Sequence, residues 1–210
     1  MQSTEDHFNE LAMSWDDDPS RKERAEVIAR MMKTKIRSRE GGITALEYGS
    51  GTGLLGFATL DHLNALTLMD FSEEMTKVAD VKISNAGLKN VDTVWGDLFE
   101  KTLDRKYDLI FTMLTMHHIV DVKTMLNRFK EHLSANGQLV IIDLEKEDGT
   151  FHDGPFEGHL GFERSELETW LVNAGFAILD YDICYTITKM SQEQEERSYP
   201  LFMLTSDVVG

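Results

Sequence analysis

Glycines crowd one short stretch of the chain, Glu47-Tyr48-Gly49-Ser50-Gly51-Thr52-Gly53, and acidic residues recur after it. Glycine lets a backbone turn sharply and approach a ligand closely. A helix starting just beyond offers N–H groups that its own carbonyls do not take up, a cradle for a carboxylate or another anion. Within this stretch Gly51-Thr52-Gly53-Leu54-Leu55-Gly56 fits G-x-G-x-x-G, and Asp70 lies near the spacing expected of a ribose-binding acid. On those residues alone a dinucleotide site fits, and so does a tight turn with no ligand.

Three further features weigh against both readings. Glu47 stands before the first glycine and makes the motif E-x-G-x-G-x-G. Asp70 is followed by Phe71-Ser72-Glu73-Glu74-Met75, an aromatic and a methionine suited to packing on a flat base. Trp95-Gly96-Asp97-Leu98 then supplies a second acid. The exocyclic amine of adenine needs an acceptor and a carboxylate is one, whereas a dinucleotide site needs no acid there.

The elements that must hold these residues alternate. Ile43–Tyr48, Ala65–Asp70, Val91–Trp95, Tyr107–Thr112 and Gln138–Asp143 read as strands. Between them Leu54–Leu60, Ser72–Ala86 and Val122–Leu133 read as helices, and Glu166–Ala174 as a later one. Ser72 is placed to cap its helix, with Glu73 and Glu74 where the dipole favours acids. Strands alternating with helices imply a doubly wound, mostly parallel sheet. Two strand-like runs, Phe176–Tyr185 and Tyr199–Thr205, have no helix between them and predict an antiparallel hairpin at the sheet edge. Before the first strand the sequence reads as helical, interrupted at Asp16-Asp17-Asp18-Pro19-Ser20, with Asp18 or Ser20 as a cap, and its second helix is expected to stop near Gly41-Gly42.

With these residues in place the chain resembles the class I, Rossmann-like S-adenosylmethionine-dependent methyltransferases, over about Phe8 to Thr205. The resemblance implies an α/β fold with a seven-stranded, mostly parallel sheet in the order 3-2-1-4-5-7-6, strand 7 antiparallel. It implies S-adenosylmethionine as cofactor, with Gly49, Ser50, Gly51, Thr52 and Gly53 along its methionine part. Asp70, followed by Phe71 and Met75, falls where the family holds the ribose. Asp97, between Gly96 and Leu98, falls where it holds adenine, and Glu47 where it reaches the ligand ammonium. Thr112 and Met113 follow the fourth strand beside the methyl-transfer centre. Phe8-Asn9-Glu10-Leu11-Ala12 with Trp15-Asp16-Asp17-Asp18-Pro19 is similar to the N-terminal segment of small-molecule members related to quinone-biosynthesis methyltransferases, although Asn9 stands where many have Asp. That similarity divides the chain into a helical lid over residues 1–40 and a Rossmann-like domain over residues 41–210.

On the acceptor side, His117 and His118 are candidate bases with side chains that titrate near neutral pH, and Asp143 and Glu145 end the fifth strand. A histidine pair opening a helix serves packing and backbone contacts equally well. The long irregular segment from Glu145 to Gly161, with His152, Asp153 and His159, is a candidate acceptor pocket. The histidine pair makes a metal site only if other ligands join it, and none is spaced nearby in sequence; the two histidines and several acids of the Glu145–Gly161 segment could bind a divalent cation, but no metal is expected. Met113 and Met116 offer adaptable apolar lining.

The chain has 210 residues, with 21 Lys and Arg against 37 Asp and Glu and a formal charge of −16. No basic run of five or more occurs, which disfavours nucleic acid and anionic membrane as partners. Cys184 is the only cysteine, so no disulfide forms within the chain. The first residues lack a signal-peptide pattern and no apolar run approaches the ~20 residues that span a bilayer, so a cytoplasmic location is expected. A small-molecule acceptor is the expected partner, since no Asn-Pro-Pro-Tyr-like motif for base amines stands at Thr112-Met113-Leu114-Thr115. A homodimer is compatible with the sequence. An NAD-dependent oxidoreductase and a non-catalytic S-adenosylmethionine-binding regulator are the alternatives.

Overall fold

The computed structural model describes residues 4–152, 154, 156–190 and 195–209. The chain opens with helix α1 (Thr4–Leu11) and a 3-10 turn over Ala12–Asp17, and continues into α2 (Pro19–Lys35). Asp18 caps α2, its side chain accepting from the Ser20 N–H, with Pro19 in the first turn where it has no hydrogen bond to lose. α2 ends at Lys35, short of Gly41-Gly42, because Ile36 is already extended. There Gln138 bonds both the Lys35 carbonyl and the Arg37 N–H.

From Thr44 onward strands and helices alternate as the sequence predicts. They are β1 (Thr44–Tyr48), α3 (Leu54–Thr59), β2 (Ala65–Asp70), α4 (Glu73–Ala86), β3 (Val91–Trp95), β4 (Tyr107–Met113), α5 (Val122–His132), β5 (Leu133–Leu144), α6 (Arg164–Ala174), β6 (Phe176–Met190) and β7 (Glu196–Val208). The sheet order is β3-β2-β1-β4-β5-β7-β6. β7 is antiparallel to both of its neighbours, and the pairs from β3 across to β5 are parallel. This is the order and the single reversal expected, with β6 and β7 as the hairpin and β6 at the edge.

Alternation along the strands splits the core into two layers. One packs α2, α3 and α4 against Ala45, Leu66, Leu68, Leu109 and Phe111. The other packs α5 and α6 against Leu46, Met69, Ile110, Leu139 and Ile141. Parallel strands covered on both faces read as continuous apolar runs, and the central ones do. β5 is longer than expected because it starts at once after α5. Asn136 takes a positive φ inside it, and Asn136-Gly137 bends the strand without ending it. Among the described residues no helix is long and apolar enough to cross a membrane.

Candidate cofactor and acceptor site

The site lies where β1, β2, β3 and β4 end, the edge at which open α/β sheets bind ligands. β1 runs directly into Gly49, and Gly49, Gly51 and Gly53 all have positive φ. A Cβ at Gly49 would land inside the Thr115 side chain, whose hydroxyl donates to the Gly49 carbonyl. Only glycine therefore lets the loop pass this close to the segment after β4.

Asp70 is 5 % exposed, and each of its oxygens accepts one backbone N–H, Gly51 at 2.6 Å and Ser72 at 2.8 Å. One lone pair per oxygen remains, an arrangement that suits two vicinal hydroxyls. Burial raises its pKa to about 6, against the lowering effect of those two N–H groups. Asp97 is half-buried, and its Oδ1 accepts from the Phe99 N–H at 2.6 Å. Burial, and then Asp97, push the Tyr48 phenol upward.

A cleft of about 370 Å³ is lined by Tyr48, Gly49, Phe71, Asp97, Thr115 and His118, among others. A second hollow of about 430 Å³, beside α2 and α3, is lined by Lys22, Arg30, Lys33 and Phe57. None of the candidate cofactor-binding or catalytic residues lines it.

Other expected cofactor residues are placed differently. Glu47 is buried, and its Oε2 accepts the Gly56 N–H at 2.9 Å, so it fastens the start of α3 to β1. Burial raises its pKa well above the usual range. Ser50 ties the loop to β2 through its N–H and the Met69 carbonyl. Thr52 donates to Asp16, and its carbonyl accepts from Lys82, which also pairs with Asp16. Gly96 donates to the Asp70 carbonyl. Met75 lies beneath Gly51, and Leu98 is in the α5-side core, leaving only its main chain for a ligand. Thr112 is fully buried and Met113 packs against the α2-side core, so both stand beneath the cleft.

The N-terminal segment meets the same edge. Phe8 packs edge-on against Phe71, Trp15 and His118. Asn9 Oδ1 accepts from the Ser72 hydroxyl at 2.7 Å and from the Glu74 N–H. An aspartate there would accept equally well, so the departure at Asn9 keeps the contact.

On the far side of Thr115, a 3-10 turn over Met116–His118 brings the histidine pair against β5. His117 is 1 % exposed and Asp143 fully buried. Asp143 Oδ1 accepts from His117 Nδ1 at 2.6 Å, and Oδ2 accepts from the His117 N–H. A carboxylate accepts and does not donate, so Nδ1 carries a proton, and in the neutral ring Nε2 keeps its lone pair. That Nε2 is buried with no hydrogen-bond partner. Leaving such a group unsatisfied costs on the order of 1–3 kcal/mol.

Burial, and then His117 beside it, lower the His118 pKa to about 3. The expectation that this histidine titrates near neutrality is thereby corrected: its imidazole is neutral at physiological pH. The fold brings a third histidine beside the pair that spacing along the chain does not show. His152 reaches back from the segment after β5, and a nitrogen from each of His117, His118 and His152 lies within 4.8 Å of the others. Phe156 stacks on His152 at 3.6 Å between ring centres. His159 turns elsewhere, its N–H donating to the His117 carbonyl and its ring stacked on Phe162. Asp153 lies outside the described residues. Glu145 accepts from the Tyr181 hydroxyl.

A family profile described as "Methyltransferase domain" matches residues 39–196. The chain belongs to this methyltransferase family. The family's cofactor is S-adenosylmethionine, and the residues present fit it: Asp70 has two open acceptor positions, and Asp97 stands at the cleft that Gly49 borders. The chain is 28% identical over 170 residues to malonyl-(acyl-carrier protein) O-methyltransferase of Bacillus cereus, covering 79% of this chain and 59% of that protein. It is 32% identical over 79 residues to demethylmenaquinone methyltransferase of Listeria monocytogenes, covering 37% of this chain and 33% of that one. The chain spans about half the length of the first curated relatives it matches. Among solved structures, an S-adenosylmethionine-dependent methyltransferase of Clostridium acetobutylicum superposes with a TM-score of 0.67 at 18% identity, covering 97% of this chain and 99% of that one. At that identity the likeness speaks for the fold.

Proposed function

We propose that the protein transfers a methyl group from S-adenosylmethionine to a small-molecule acceptor. The observation that carries this reading is the buried Asp70 carboxyl with its two open acceptor positions, set behind the glycine loop and beside the cleft that Asp97 lines. When bound, the cofactor supplies a methyl already activated by its sulfonium charge. The chain's part is then to hold and orient. Asp70 and Asp97 bind the nucleoside part, and Gly49 to Gly53 follow the methionine part. Holding an acceptor in line at ~3–3.5 Å accounts for ~7–11 kcal/mol of a barrier.

The N-terminal segment serves as the lid over this edge, through Phe8, Asn9 and Asp16. His118 lines the cleft. His117, set by Asp143, acts from beneath it as a positioning residue. The His118 imidazole, kept neutral by burial, offers a lone pair to the acceptor side, which suits binding an electron-poor centre more than taking up a proton. The acyl-carrier and quinone relatives support a small acceptor group. The acidic charge of −16 supports an acceptor other than nucleic acid.

Calorimetric titration with the demethylated cofactor, followed by methylation of an acceptor panel, tests the reading. Binding together with product formation is expected. Absence of binding overturns the cofactor assignment, and binding without turnover across the panel favours a regulatory role.

A further inference from the structure

The family assignment gives no role to the cluster of His117, His118 and His152. Its three donor nitrogens come from two separate segments, the turn after β4 and the loop after β5. Two independent features mark it as more than aromatic packing. First, the Nε2 of His117, which is 99 % buried, has no hydrogen-bond partner. Second, that ring is held from behind by Asp143, whose carboxylate fixes the tautomer that leaves Nε2 free to ligate. A carboxylate behind a histidine ligand is the arrangement that orients imidazoles at metal centres. The aromatic rings of Phe151 and Phe156 pack around the cluster and restrict water on that side.

We infer that His117, His118 and His152 form a binding site for one zinc-class divalent ion, with Asp143 as the residue that orients His117. Three imidazole nitrogens suit such an ion. They leave a fourth position for an exchangeable ligand, the pattern of zinc sites that act on a bound molecule. Nitrogens bonded to one ion at ~2.0–2.1 Å stand roughly 3.4 Å apart in a tetrahedron. The nitrogens therefore draw together by up to about 1.4 Å from their present limit of 4.8 Å. His118 also lines the cleft, so the open position faces the acceptor side and takes an anionic oxygen, thiolate or nitrogen. Ion binding by these residues does not depend on the methyl-transfer reading, and it is measured without cofactor.

The test uses the untagged full chain, stripped with chelator and dialysed, then titrated with Zn2+ by calorimetry and by equilibrium dialysis. One ion per chain is expected. His152→Gln is expected to weaken binding at least ~10-fold, and Asp143→Asn by ~10–100-fold, the range for loss of a carboxylate behind a ligand. His118→Gln repeats the measurement if either variant fails to keep the wild-type circular dichroism and melting curve. Wild-type protein that retains no Zn2+ overturns the inference and leaves Nε2 of His117 as a proton acceptor. Folded His152→Gln and His118→Gln variants that bind Zn2+ as tightly as wild type overturn it equally, by placing the ion elsewhere.

Discussion

Asp70 offers the sharpest quantitative prediction, because its burial couples cofactor binding to protons. In the free protein, burial holds this carboxyl at about 6, above the 3.8 of an exposed aspartate. The folded chain therefore binds this proton more tightly than the unfolded chain. Stability from this group is present at low pH and falls as pH rises from 3.8 to about 6. At neutral pH the ionised carboxylate costs the fold about 3 kcal/mol, at ~1.4 kcal/mol for each tenfold gain in proton affinity. Two ribose hydroxyls donating to its open positions stabilise the ionised form and pull the pKa back down. Binding then releases a proton, and affinity is full above about pH 6 and lost below it. Between pH 7 and pH 5 the dissociation constant of the demethylated cofactor should rise roughly tenfold, about 1.4 kcal/mol.

Calorimetry across this range, in buffers of different ionisation enthalpy, reads both the affinity and the released proton. Asp70→Asn should flatten the profile and weaken binding at pH 8; it removes the buried charge but also leaves one of the Gly51 and Ser72 N–H groups facing an amide NH2. Glu47 is the other buried carboxyl nearby, also raised by burial, so Glu47→Gln is the control and should keep the slope. A wild-type affinity that is flat from pH 5 to pH 7.5, or a slope that survives in Asp70→Asn, refutes the ribose assignment.

Three further outcomes follow from single contacts. Gly49→Ala forces a Cβ into Thr115 at a φ of +67°, and urea unfolding should show a loss of roughly 1–3 kcal/mol. Asp143→Ala strips His117 of its Nδ1 and main-chain acceptor inside the core, and should cost about 1–3 kcal/mol by the same measurement. Phe8→Ala removes the edge contacts to Phe71 and His118, and stopped-flow should show faster cofactor release, by an amount corresponding to ~0.5–1.5 kcal/mol. An unchanged release rate would remove the lid role from α1.

What was legible in the sequence follows from which contacts are local. Strand order and the two acids at strand ends are set by alternation and by residues directly flanking a strand, so Asp70 and Asp97 fall where the motif puts them. The roles of Glu47, Thr112 and Leu98 depend on which way a side chain turns. There the pleat decided: Glu47 points inward to the Gly56 N–H, and Thr112 is fully buried. The segment that carries His152 has no periodicity, so the sequence marks it as a candidate acceptor loop but not as a neighbour of His117. Its meeting with His117 depends on the parallel register of β4 and β5, which pairs Met113 with Ile142 and so sends both strands' exits to the same point. Asp143 lies one residue past that pair and His117 four residues past it, so the sheet edge that carries Asp70 and Asp97 also places this carboxylate behind this imidazole. A histidine pair at the exit of a fourth strand is therefore better judged by what ends the fifth than by the spacing of other histidines along the chain.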